Sequence, residues 1–159
     1  MINLKADGIS NEILDILESQ GLPVKRSLDI DVPPLPTDIT QVDDQELMTM
    51  ASKYLQNYNF MITQVACAEL AVLDAESKYN RAEAKAMLTK TTGKSTEKSI
   101  MLRAQVATDP EIMALEDTLN YAQAYSKLLK TMQEDLERCH QFTSRELTRR
   151  TSVLKARGY

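Results

Sequence analysis

Between Leu47 and Ala86 an apolar residue recurs at every third or fourth position without a break. The series is Leu47, Ala51, Tyr54, Tyr58, Met61, Val65, Ala68, Val72, Ala75, Tyr79, Ala82 and Ala86. Its spacing alternates four and three, about 3.5 on average, the period of a helix that keeps one seam against a partner helix. Neither Pro nor Gly interrupts it. At about 1.5 Å per residue the seam runs roughly 60 Å. A stripe of that length cannot be buried inside a small globule. The chain must offer it a second long helix, another subunit, or both.

A second helix is legible downstream. Pro110 sits where Pro is best tolerated, just inside a helix start, with Thr108 or Asp109 before it as the cap. From there Leu115, Ala122, Leu129 and Leu136 recur seven apart, and Tyr125, Met132 and Cys139 interleave at the same interval. The pattern extends through Leu147 toward Leu154 and stops near Gly158. Thr89 to Ser99, rich in Thr, Lys and Ser around Gly93, has the chemistry of a loop. The spacing therefore predicts an all-α fold: a long antiparallel helical hairpin with heptad seams, its helices near 44–90 and 110–155.

Residues 1–43 read as an acidic arm preceding this hairpin domain, 44–159. Ser10 is placed to cap a short helix with Ile13, Ile16 and Leu17 on one side and Gly21 as its stop. Val32-Pro33-Pro34-Leu35-Pro36 is a stiff, extended linker. Asp43, Asp44 and Glu46 open the first long helix at its positive dipole end. Val24 to Val32 is too short and too charged to read as a strand. No apolar run is long enough to cross a membrane and no secretory apolar region follows Met1, so a cytoplasmic protein is expected. Cys67 and Cys139 fit reduced, buried thiols of such a protein.

The overall charge of −4 hides a strong polarity. Residues 1–47 carry three bases against ten acids. Residues 78–103 carry Lys78, Arg81, Lys85, Lys90, Lys94, Lys98 and Arg103 against Glu83 and Glu97. Residues 137–159 carry Arg138, Arg145, Arg149, Arg150, Lys155 and Arg157 against Glu137 and Glu146. A basic hairpin tip and a basic tail are what a polyanion partner requires, although Lys and Arg also form plain solvated helix faces. The candidate nucleic-acid-binding residues are the seven tip bases together with Arg145, Arg149 and Arg150.

Other chemistry finds no support. Thr92-Gly93-Lys94-Ser95-Thr96 imitates the end of a phosphate-binding loop, but Leu88 stands where its first Gly belongs and a helix, not a strand, precedes it. His140 is the sole histidine, and beside Cys139 it cannot complete a metal site. No nucleophile, base and orienting group can be assembled. Neither an enzyme nor a cofactor is expected.

Within Leu47 to Arg150 the chain carries Lys85-Ala86 on the first helix and then a polar turn with Gly93. Lys98-Ser99, Asp109, the step Leu119-Asn120-Tyr121 and Phe142 follow. In these features it resembles the UvsY-type recombination mediators of tailed bacteriophages. That resemblance implies an all-helical protein that binds single-stranded DNA, forms rings, and helps load a RecA-like recombinase onto strands covered by single-strand binding protein. Met87 stands where the family's DNA-contacting stretch has a second base, and the acidic arm has no counterpart in it.

Apolar residues also flank the seams: Ile62, Leu70 and Leu73 on the first helix, Leu119, Tyr121, Leu128 and Phe142 on the second. Left bare they would form a patch that soluble proteins usually cover. Homo-oligomerisation, most simply a closed ring, would cover it and repeat each basic tip. With Tyr54, Tyr58 and Tyr79 on the seam, backbone contact rather than base stacking is expected of DNA binding. A helical adaptor, assembly protein or host inhibitor that binds no nucleic acid would use the same seams. For the arm, packing through its apolar stripe is favoured over an acidic strand mimic that occupies the DNA site.

Overall fold

The structure is a computed structural model that describes residues 2–6, 8–90 and 103–156, with the side chains of Ile2 and Lys90 outside that set. Two helices of 47 residues dominate: α2, Asp44–Lys90, and α3, Pro110–Ala156. Each is about 70 Å long. They pack on each other along the chain's principal contact. Before them come a strand β1, Ile2–Asn3, a helix α1, Ile9–Ser19, a strand β2, Ser27–Leu28, and one 3-10 turn, Ile39–Gln41. The expected loop around Gly93 and the stop at Gly158 lie outside the described residues.

Both long helices begin where their caps dictate. Asp43 Oδ1 accepts from the Glu46 amide at 2.9 Å, and Asp44 and Glu46 add negative charge to the first turn of α2. Asp109 Oδ1 accepts from the Glu111 amide at 3.2 Å, so Asp109 caps α3, with Pro110 as its first residue.

Every residue of the Leu47–Ala86 series is buried or half-buried. Met50, Tyr54, Met61, Val65 and Ala68 form the core with Leu129 and Leu136 of α3, and Val42, Tyr58, Tyr125 and Cys139 close its margins. On α3 the inward series is Ile112, Leu115, Leu119, Ala122, Ser126, Leu129, Gln133, Leu136, His140, Thr143, Leu147 and Arg150, again at alternating threes and fours. This corrects two expectations. Met132 does not interleave on the seam and is exposed. Leu119, like Leu70 on α2, is half-buried rather than an outer flank residue. The misreading has a physical cause, because polar residues hold several seam positions. Thr143, wholly buried, satisfies its hydroxyl on the Cys139 and His140 carbonyls of its own helix. His140, half-buried, donates from Nδ1 to the Ala51 carbonyl across the seam at 3.1 Å. Ala51 is small enough to let the imidazole approach.

The arm lies on a second inward stripe of α2 that carries Gln64 and Cys67. Gln64 is 4 % exposed and pins the first segment at both edges. Its Nε2 donates to the Asn3 carbonyl at 3.0 Å, and its Oε1 accepts from the Lys5 amide at 3.3 Å. β1 pairs antiparallel with β2, Ile2 opposite Leu28 and Asn3 opposite Ser27, a ladder that the charged sequence there did not announce. Helix α1 begins two residues earlier than a cap at Ser10 would place it, and Gly8, at φ 49°, takes the cap position. Ser10 is therefore not a cap. It is buried in the first turn, and its Oγ donates to the Cys67 carbonyl at 3.3 Å. Ser10 and Leu14 dock, whereas Ile13 and Ile16 remain exposed. The stop at Gly21 holds: at φ 80° its amide bonds the Glu18 carbonyl, and the Leu22 amide bonds that of Leu17. The Pro-rich linker lies along the hairpin, with Tyr54 Oη donating to the Pro33 carbonyl at 3.0 Å. Arg26 pairs Asp15 and Glu18 within the arm itself.

A charge in the dry seam has no partner, whereas one on the outer face stays hydrated. Val65→Asp and Leu129→Asp are each expected to cost several kcal/mol and to lower the urea midpoint read by circular dichroism. Ala124→Asp, on the exposed face of α3, should cost less than about 1 kcal/mol in the same measurement.

Candidate nucleic-acid interface

Lys78, Arg81 and Lys85 follow one another at three and four residues on α2, so they share a helix face, and all three are exposed. Lys78 Nζ lies 2.6 Å from Asp74 Oδ2, an i,i+4 pair, while its side chain stays 63 % exposed. Arg81 and Lys85 pair with no carboxylate among the described residues. Arg103, on the helical stretch 103–107, is also exposed. Lys94, Lys98 and the side chain of Lys90 lie outside the described residues, as does the phosphate-loop imitation at 92–96.

The second predicted patch sits at the other end of the hairpin, roughly 60 Å away by helix rise, and only part of it is available. Arg145 is at the surface. Arg149 is largely exposed but gives two hydrogen bonds to Glu146, each 2.7 Å. Arg150 does not belong with them. Its side chain is only 17 % exposed, and its guanidinium makes five bonds inside the molecule. Nε donates to Glu146 Oε1 at 2.8 Å, Nη1 to the Val42 carbonyl and Asp44 Oδ1 at 2.7 and 2.6 Å, and Nη2 to the Ile39 and Thr40 carbonyls at 3.0 and 3.1 Å. The planar fork fits this cluster of acceptors where a Lys would not. Arg150 ties the 3-10 turn and the start of α2 to α3, and it has no donor left for a phosphate.

Electrostatics at this clamp are correspondingly strong. Hydrogen bonds from Arg149 and then Arg150 hold the Glu146 carboxyl at about 2, well below the ordinary 4.5, against the opposing effect of burial. Burial pushes the Cys67 and Cys139 thiols up, and both are free. Among the described residues no cluster of His, Cys, Asp and Glu can hold a metal ion.

One grouping escaped the sequence. Tyr121 and Tyr125 stack with ring centroids 6.4 Å apart and planes within 5°. Lys5 Nζ lies over both rings, 4.7 Å from the Tyr125 centroid and 5.4 Å from that of Tyr121. The i,i+4 spacing of the tyrosines was readable. The position of Lys5 was not, because it depends on the Gln64 anchor 59 residues away.

Comparison with family models finds no match, and comparisons with curated proteins and with solved structures find none either. No described helix is long and apolar enough to cross a membrane.

The clamp has a pH signature. A depressed carboxyl contributes stability that is complete above its unfolded value near 4.5 and is lost as pH falls through about 2. The melting temperature of wild type should therefore drop more steeply between pH 4.5 and 2 than that of Glu146→Gln, which lacks this titration. Parallel curves over that interval would remove Glu146 from the acid response.

Proposed function

We propose that this protein is a homo-oligomeric, single-stranded-DNA-binding hairpin of the recombination-mediator kind, a binding protein rather than an enzyme. The observation that carries the reading is the basic face Lys78, Arg81 and Lys85 on α2, within a stretch, 78–103, where bases outnumber acids seven to two. Such a face offers phosphate donors without base-reading geometry, which suits sequence-independent binding governed by counterion release. The resemblance to the UvsY-type mediators supplies the context, a RecA-like recombinase and a single-strand binding protein as partners. Arg103, Lys90, Lys94 and Lys98 complete the proposed surface. Arg145 and Arg149 are a secondary contact, and Arg150 is excluded by its internal bonds.

Oligomerisation is proposed from the outer faces. Leu73 and Leu128 are each at least 60 % exposed, and Ile62, Met132 and Phe142 are also exposed. Side-by-side hairpins would cover these residues and array the tips, multiplying weak phosphate contacts. The same exposed residues favour the second reading, an adaptor or inhibitor that binds another protein and no nucleic acid. The arm is assigned a packing role, because Arg26 occupies Asp15 and Glu18 and α1 is docked on α2.

The readings separate on one titration. Wild type should bind a labelled single-stranded oligonucleotide with affinity that falls as salt rises. Arg81→Glu with Lys85→Glu should weaken binding and reduce the salt slope by about 0.7 for each phosphate that is no longer neutralised. Equal affinity and slope would remove the tip face from the site, and absence of binding by wild type would favour the adaptor. Sedimentation at tens of micromolar should give a mass above the 17.9 kDa chain, and a monodisperse monomer would overturn the oligomer.

A further inference from the structure

A groove of about 310 Å³ opens where the arm meets the hairpin. Its floor is small, Ala71 and Ala75 of α2 and Ala122 of α3, and its rim carries Lys5, Lys78 and Tyr121. Tyr121 is 64 % exposed although its ring is stacked. The exposed Tyr121 ring and the ammonium groups of Lys5 and Lys78 on one groove are the two components a nucleotide requires. A base has a π-face to stack on a ring, and its phosphate takes the cations.

The groove is also continuous with the tip. Cys67, Ala71, Asp74 and Lys78 line it from α2 at alternating fours and threes. The same alternation leads directly to Arg81 and Lys85. A strand lying along that face would pass from the basic tip into the groove without leaving the helix. Lys78 belongs to both, and its ammonium keeps donors beyond the one given to Asp74.

We propose that this groove is a nucleotide subsite for single-stranded DNA, with one base stacked on the Tyr121–Tyr125 platform and the adjoining phosphate held by Lys5 and Lys78. This rests on the single-strand-binding reading above and assigns that reading a place where bases, not only phosphates, are touched. It adds a stacked base to the backbone contact that the sequence leads one to expect as dominant. In the free protein the Lys5 ammonium occupies the ring face that the base would take. The Lys5 backbone is fixed by Gln64 Oε1, and the neighbouring Leu4 amide bonds the Arg26 carbonyl at 2.7 Å. Only the Lys5 side chain needs to swing, from ring to phosphate, and its attraction to the platform is exchanged for a charge pair.

The test uses the full chain, an oligothymidylate, and an abasic oligonucleotide of equal length. Tyr121→Ala should bind the oligothymidylate about tenfold more weakly at every salt concentration, leaving the salt slope unchanged. It should bind the abasic strand as wild type does, and Tyr121→Phe should restore affinity. Lys5→Ala should instead lower the slope. The chain has no Trp, so its fluorescence is that of six tyrosines, and oligothymidylate should quench wild type more than Tyr121→Ala. Matching melting curves for wild type and Tyr121→Ala make the comparison one of folded proteins. If wild type binds and Tyr121→Ala binds equally well, the subsite is wrong while the tip reading stands. If wild type binds neither strand, both fall.

Discussion

A helix of 47 residues with a continuous apolar stripe takes most of its stability from packing that stripe, and the rest of the structure follows from how it is covered. α3 takes one side of it and the arm takes the adjoining side. The coverage is shallow. Ala51, Ala68 and Ala75 on α2 are buried together with Ser126 on α3, so much of the contact involves small side chains, with Tyr54, Leu47 and Leu129 as the large members. Many bulkier apolar residues are left outside, Leu73, Leu128 and Phe142 among them. A core of this kind gains its stability from length rather than depth, at about 25 cal/mol for each Å² of apolar surface removed from water.

Polar chemistry then fixes what apolar packing leaves undetermined. Gln64 holds the N-terminal segment by its backbone, Ser10 fixes α1 at the Cys67 carbonyl, and Arg150 gathers three carbonyls and two carboxylates at the hairpin base. Apart from the bond between Arg150 and Glu146, each of these joins residues far apart in sequence. Among the described residues every buried side-chain polar atom has a partner. That is the condition under which such groups support a single arrangement instead of weakening it.

The parts of this architecture written in local pattern were legible, and the parts written in long-range contact were not. The Leu47–Ala86 series is inward along its whole length because its period is set by the helix itself. The caps at Asp43 and Asp109 and the stop at Gly21 are local as well. The inward series of α3 was read only in part, because Ser126, Gln133, His140 and Thr143 occupy seam positions with polar side chains, and an apolar-only template passed over them in favour of Met132. Arg150 was counted with its basic neighbours, because nothing within a few residues of it reveals the carbonyls of Ile39, Thr40 and Val42. The Lys5–Tyr121 grouping was hidden for the same reason. Of the candidate interface, the face Lys78-Arg81-Lys85 was visible from spacing, and the aromatic platform beside it was not.

A heptad repeat has an ambiguity of its own, since sliding one helix by seven residues sets similar side chains opposite one another again. Among the described residues the polar contacts that distinguish one alignment from the next lie between the base and mid-length, where Arg150 meets the turn before α2, His140 meets the Ala51 carbonyl and Lys130 pairs with Glu69 at 2.6 Å. Toward the tip the inward residues Ala75, Tyr79, Ala82 and Ala86 on one helix and Ile112, Leu115, Leu119 and Ala122 on the other set the alignment by packing alone. The molecule is thus indexed from one end like a ruler read from its zero mark. Matched seven-residue insertions or deletions in both helices beyond the arm's docking site would change how far the basic tip reaches without disturbing the alignment at the base. The reach of the tip is a dimension that evolution or an engineer can adjust independently of the fold.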